Sequence, residues 1–153
     1  MSQTSVSSLV QDLQKTLNER QNNYVAEAER ILERIVRLND PSSIGKLIGC
    51  FSDTEPYDEL MFSIVHSIEA FDDKTYVKAL VNSLPDFIQK APRWCSIVHM
   101  RVINSTTALP AYINEIQNSE DDTKNMLRRM IVQMGARGAQ IAKKTVPLLK
   151  ALN

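Results

Sequence analysis

Ser63-Ile64-Val65-His66 recurs 33 residues later as Ser96-Ile97-Val98-His99, and this pair decides how the rest of the chain is read. Both tetrapeptides sit where apolar residues return every three or four positions, the spacing of a helix with one buried stripe. The same offset holds just upstream, where Gly45-Lys46-Leu47-Ile48-Gly49-Cys50-Phe51 aligns with Lys78-Ala79-Leu80-Val81-Asn82-Ser83-Leu84. A fainter third copy puts Ile113 under Leu80, Met130 under Ile97 and Ile131 under Val98. A period of this length with two helices per unit indicates an array of helical hairpins. Each hairpin has an apolar face that only a stacked neighbour can cover.

Helical periodicity continues outward to both ends. Val6, Leu9, Val10, Leu13 and Leu17, then Ala28, Ile31, Leu32, Ile35 and Val36, predict a long N-terminal helix over 5–38. Two helices in line, broken at Gln21-Asn22-Asn23, are the alternative. The stretch ends at Asn39-Asp40-Pro41, because a residue before proline is driven out of the α region. Hairpins are expected over about 41–71, 73–104 and 107–134, and a C-terminal helix over 139–152, with Pro147 inside it as a point of kinking. The predicted fold is all-α: a single domain over 1–153 of stacked antiparallel hairpins, a short HEAT-like right-handed α-α superhelix. An irregular helical bundle is the alternative architecture.

With 153 residues, 43% of them hydrophobic, the chain can bury a core without disulfides or metal. Cys50 and Cys95 stand among apolar residues with no CxxC or Cys/His ligand spacing, so they read as a reduced pair of a cytosolic protein. The first ten residues are polar and Ser-rich, without the apolar run of a signal peptide, and no stretch has the length of a membrane span. The expected location is cytoplasmic. Glycine-rich phosphate loops, HExxH and nucleophile-elbow motifs are missing, so neither an enzyme nor a metal or cofactor site is expected.

Net charge is zero, but it is unevenly spread. Residues 1–122 hold all 18 acidic groups, while 123–153 hold Lys124, Arg128, Arg129, Arg137, Lys143, Lys144 and Lys150 and no acid. The basic end has no interleaved aromatic residues, so direct nucleic-acid binding is not expected. The acidic concentration is sharper. Asp53, Glu55, Asp58, Glu59, Glu69, Asp72 and Asp73 fall in one run with no basic residue, and Tyr57, Phe62, Phe71 and Tyr76 lie among them. Carboxylates so placed speed encounter with a basic partner, and aromatic anchors ringed by charge make hot spots. A solvated helix face is the plainer account of such a run. His66 shares a helical stripe with Glu59, Phe62, Glu69 and Asp73, whereas His99 lies in an apolar helix and reads as a core residue. The candidate partner-binding set is Asp53, Glu55, Tyr57, Asp58, Glu59, His66, Glu69, Asp72, Asp73 and Tyr76.

The run Asp58-Glu59-Leu60-Met61-Phe62-Ser63-Ile64-Val65-His66-Ser67-Ile68-Glu69-Ala70-Phe71-Asp72-Asp73 resembles the core segment of a family of small helical bacterial immunity proteins. Ala91-Pro92-Arg93-Trp94, leading into Met100-Arg101-Val102-Ile103-Asn104-Ser105, is similar to it as well. The resemblance covers roughly 44–117 and leaves the N-terminal helix and the basic end outside. Such proteins are encoded beside contact-dependent growth inhibition or polymorphic toxins. The resemblance implies an antitoxin that binds and neutralises a cognate toxin domain, a basic nuclease such as a tRNA-cleaving one. It carries no residue roles. The alternative is a helical-repeat adaptor for a peptide or protein, without toxin neutralisation.

Overall fold

The computed structural model describes residues 5–153, and among them all regular structure is helical. In chain order the helices are α1 (Val6–Glu19), α2 (Tyr24–Leu38), α3 (Ser43–Ile48), α4 (Asp58–Glu69), α5 (Asp73–Asn82), α6 (Leu84–Lys90), α7 (Pro92–Ile103), α8 (Leu109–Gln117), α9 (Asp121–Gly135) and α10 (Ala139–Ala151). Proline opens α6, α7 and α8 within the first turn, where its missing N–H costs nothing.

The helix expected over 5–38 is two helices, and they are packed against each other rather than in line. Arg20 closes α1 at φ 49° and Asn23 precedes α2 at φ 65°, both left-handed, so a right-handed helix cannot pass through them. The Arg20 guanidinium then reaches the Thr54 carbonyl, 3.3 Å away. Sequence reading also missed α6, because Pro85 falls just after the end of the preceding helix and reads as a breaker.

Turning back at 20–23 makes α1 and α2 a hairpin of the array, and the 33-residue register extends through it. Ala28, Met61, Trp94 and Leu127 stand at that spacing and are all fully buried. Ile31, Ile64, Ile97 and Met130 follow, then Leu32, Val65, Val98 and Ile131. The hairpins are thus α1/α2, α3/α4, α5 joined to α7 through α6, and α8/α9, with α10 packed on α8 and α9. One layer is α1, α3, α5, α8 and α10; the other is α2, α4, α7 and α9. Neighbouring helices α2/α4 and α4/α7 run parallel: Tyr24 meets Glu55 and Glu29 meets Ser63, while Asp58 meets Arg93 and Glu69 meets Arg101, in rising order along both helices.

The core lies between the layers and is one continuous cluster. At its centre Trp94 packs against Phe51 (ring centroids 5.9 Å apart) and edge-on to Phe62 (5.0 Å), while Phe51 stacks on Phe87 at 5.1 Å. Cys50 and Cys95 are both free and buried, and burial pushes their thiols up to about 11 and about 12. They carry no thiolate at neutral pH. Among the described residues no helix is long and apolar enough to cross a membrane.

Candidate functional site

The acidic run spans the loop before α4, α4 itself, and the turn into α5. Stacking puts its members to different uses. Asp53 accepts hydrogen bonds from the backbone N–H groups of Arg93 (2.9 Å) and Trp94 (3.1 Å), so it caps α7 from the neighbouring hairpin. Glu55 is 6% exposed; its Oε2 accepts from the Tyr24 hydroxyl (2.7 Å) and from the Tyr57 N–H (3.1 Å). Burial, and then that bond to Glu55, hold the Tyr24 hydroxyl up at about 12. Asp58 takes both Arg93 guanidinium nitrogens at 3.0 and 3.3 Å. Glu69 takes Arg101 in the same forked way at 2.8 and 2.9 Å. Asp72 caps α5, accepting from the Thr75 hydroxyl (2.8 Å) and N–H (3.1 Å), and these two bonds hold its carboxyl below the usual carboxylate range.

Two members of the predicted set are therefore corrected. Glu55 and Tyr76 are buried, 6% and 3% exposed, and present no surface to a partner. Tyr76 faces the core because α5 packs on α3 and α8, and its hydroxyl pKa is raised by burial. Asp73 is half-buried on α5, in the opposite layer from Glu59 and His66, beside Lys74 and Lys78. The structure does not bring it together with them. What stays exposed in one place is Tyr57, Glu59 and His66, with the ion-paired Asp58 beside them. Tyr57 leans on the Tyr24 ring at 6.0 Å.

His66 opens onto a groove between α2 and α4, a cavity of about 430 Å³. Its walls are Glu29, Glu33 and Arg37 from α2 and Ser63 and Ser67 from α4, over Leu32 and Val36. Ser63 donates to Glu29 at 3.1 Å across it. The α2 residues were missed because the N-terminal segment was read as a lone helix outside the array. The spacing Glu29, Glu33, Arg37 and the pair Tyr24/Tyr57, 33 apart, were the signals that could have found them. His99, by contrast, is fully buried, its Nδ1 sharing a 2.7 Å hydrogen bond with the Tyr112 hydroxyl, as its apolar helix implied. At the basic end, Arg128 is tied to Asn125 and to the Leu152 carbonyl, which fastens α10 to α9. No group of three or more His, Cys, Asp or Glu able to hold a metal ion occurs among the described residues.

The model of the family Immunity protein 30 matches residues 13–112. The chain belongs to that immunity-protein family. No curated protein and no solved structure matches it. The Immunity protein 30 match starts inside α1 and stops at Tyr112 inside α8, so it takes in three hairpins, the acidic run and the whole α2/α4 groove. The N-terminal hairpin is therefore part of the family's shared fold and does not lie outside it, as the narrower resemblance implied. The basic α9/α10 end is outside the matched span. Family membership supports a toxin-neutralising role and a binder rather than a catalyst.

The two uses of carboxylates separate by experiment. Asp53→Ala is expected to lower the unfolding free energy by about 1–2 kcal/mol, because two backbone donors of α7 lose their acceptor. Glu59→Ala is expected to stay within about 0.5 kcal/mol of the parent. Urea unfolding followed by circular dichroism measures both, and equal values for the two variants would refute the assignment.

Proposed function

We propose that this chain neutralises a cognate toxin domain by binding it tightly through the outer face of the second hairpin, in the cytosol of the cell that makes the toxin. The observation that carries this reading is the match to Immunity protein 30 over the span that contains that face. Binding, rather than chemistry, is the mode the side chains support. Exposed Glu59 and His66 stand on one stripe of α4 with Tyr57 at its start, a charged and aromatic surface without a nucleophile–base pair.

The partner proposed is a positively charged domain of nuclease type. A nuclease neutralises phosphates with lysines and arginines, and carboxylates can meet that same surface. Most of the acidic run supports the fold, so the electrostatic contact rests on fewer groups than its count implies. Asp58 and Glu69 are each neutralised by an arginine, although their side chains stay 52% and 28% exposed.

Co-expression with the toxin domain encoded beside it tests the reading. Growth should be rescued, and the two chains should co-purify. Combining Tyr57→Ala with Glu59→Lys should slow association several-fold and flatten its salt dependence, measured by stopped-flow or surface plasmon resonance. Rescue without any detectable complex would overturn neutralisation by binding.

A further inference from the structure

Two neighbouring grooves of the second layer, α2/α4 and α4/α7, are bridged by the chain to different extents. Between α4 and α7 the gap is bridged by Arg93 on Asp58 near one end and by Arg101 on Glu69 near the other, with Phe62 set edge-on against Trp94 between them. Among the described residues, Ser63 to Glu29 is the one side-chain hydrogen bond between α2 and α4 themselves, with Tyr24 to Glu55 at their N-terminal end, and a cavity of about 430 Å³ stays open to solvent. Both grooves lie between parallel helices, and different side chains span them.

The open groove has a definite chemistry. Leu32 and Val36 form an apolar floor, with Val36 still 37% exposed. Glu29 and Glu33, one turn apart on α2, make a negative wall. Arg37 offsets it weakly, 3.9 Å from Glu33, where both side chains are more than 70% exposed. Exposed Glu59 sits one turn before Ser63 on α4 and adds a carboxylate with no salt-bridge partner among the described residues. Tyr57, 46% exposed, stands at the N-terminal end of the same two helices. The larger cavity of about 710 Å³ between α5 and α8 differs on each point. It sets Asp73 and Glu115 against Lys74 and Lys78, so its charge is balanced, and none of the large exposed hydrophobic side chains lines it.

We propose that the α2/α4 groove is the seat of a basic amphipathic helix supplied by the cognate toxin domain, which rests on the toxin-neutralising reading above and gives it an address. A straight channel between two parallel helices accepts a third helix as a ridge in a groove. Twelve residues of α4 rise about 18 Å, room for roughly three turns of partner. Apolar side chains of that helix meet Leu32, Val36 and Tyr57. Its lysines or arginines meet Glu29, Glu33 and Glu59.

The test uses the full chain and the toxin domain encoded beside it. The triple variant Glu29→Lys/Glu33→Lys/Val36→Arg should weaken binding by about 100-fold or more, at roughly 1.4 kcal/mol per tenfold. It should also lose growth rescue while keeping the parent's helical spectrum. Glu33→Lys alone, at a side chain 71% exposed, should weaken binding by about tenfold and cannot be dismissed as unfolding. Asp12→Lys/Glu115→Lys makes the same kind of charge change in the opposite layer, on α1 and α8, and should bind like the parent. If the parent binds and rescues while Glu33→Lys and the triple variant bind within threefold of it, the groove is overturned and the neutralising role stands. Equal weakening by the control pair also overturns the groove, because a general field would then explain the effect. If the parent itself neither binds nor rescues, both readings fall.

Discussion

Replacing Trp94 with alanine is expected to lower the unfolding free energy by about 3–5 kcal/mol, the range for removing a buried aromatic side chain from a packed core. For a chain of this size that is a fall in Tm of roughly 10 °C. Trp94 is fully buried and its ring touches both halves of the preceding hairpin: Phe51 just beyond α3 and Phe62 on α4. The Arg93 guanidinium lies over its ring, 5.1 Å from the centroid, and Asp53 accepts from its backbone N–H. One residue of α7 thus holds the second and third hairpins together. Trp94→Phe keeps a ring in the same place and should lose less than half as much. In a cell the alanine variant should protect poorly through low abundance, while the purified folded fraction binds its toxin normally. Differential scanning calorimetry and binding by titration separate these effects, and a loss under about 1 kcal/mol would show that the hairpins do not depend on this contact.

The second large effect is a loss of stability in mild acid, set by His99. Its imidazole is fully buried on α7, bound to Tyr112 through Nδ1, and burial lowers its pKa to about 3. In the unfolded chain the ring takes a proton near pH 6.5. The unfolded state therefore binds more protons below that pH, and stability falls with falling pH. The contribution is fully present above about pH 7 and is lost progressively below pH 6.5. By pH 5 the difference is about 2 kcal/mol, at 1.36 kcal/mol per pH unit. Asp72 and Asp40, both held below the usual carboxylate range by hydrogen bonds, act in the same direction but only in stronger acid. His99→Asn can keep a bond to Tyr112 without titrating, so its stability should be nearly flat from pH 7.5 to 5. Urea midpoints across that range decide the matter: an equally steep fall in the variant would assign the acid sensitivity to other groups.

The fold was legible because its determinants are local or periodic. The 33-residue recurrence of Ser-Ile-Val-His and the helical spacing around it predicted stacked hairpins, and stacked hairpins are what the chain forms. The first hairpin was obscured by two residues. Arg20 in a left-handed conformation has no clear sequence signal, since left-handed geometry favours glycine or asparagine, and the Asn22-Asn23 pair was too weak a mark alone. Its register was nevertheless present in Ala28, Ile31 and Leu32, each 33 residues ahead of Met61, Ile64 and Val65.

The candidate site was legible as a composition and not as a surface. Counting carboxylates from Asp53 to Asp73 could not tell a helix cap from a free charge, because the partners lie far along the chain. Arg93 is 35 residues from Asp58, Arg101 is 32 from Glu69, and Tyr24 is 31 from Glu55. All of these separations are close to one repeat. Charges in one hairpin are therefore read by the next, and the acids of the second hairpin fix its register on the third before they can serve a partner.

Taken alone, the amino-acid order determined helices, their period, their breaks at proline and the buried stripe of each, since those depend on neighbours within a turn or two. Only the tertiary structure decided which carboxylates hold the hairpins together, that Tyr76 and Glu55 turn inward, and that the α2/α4 groove stays open beside a bridged one. Those outcomes are set by contact across a repeat, where a side chain's role depends on what the stacked neighbour places opposite it.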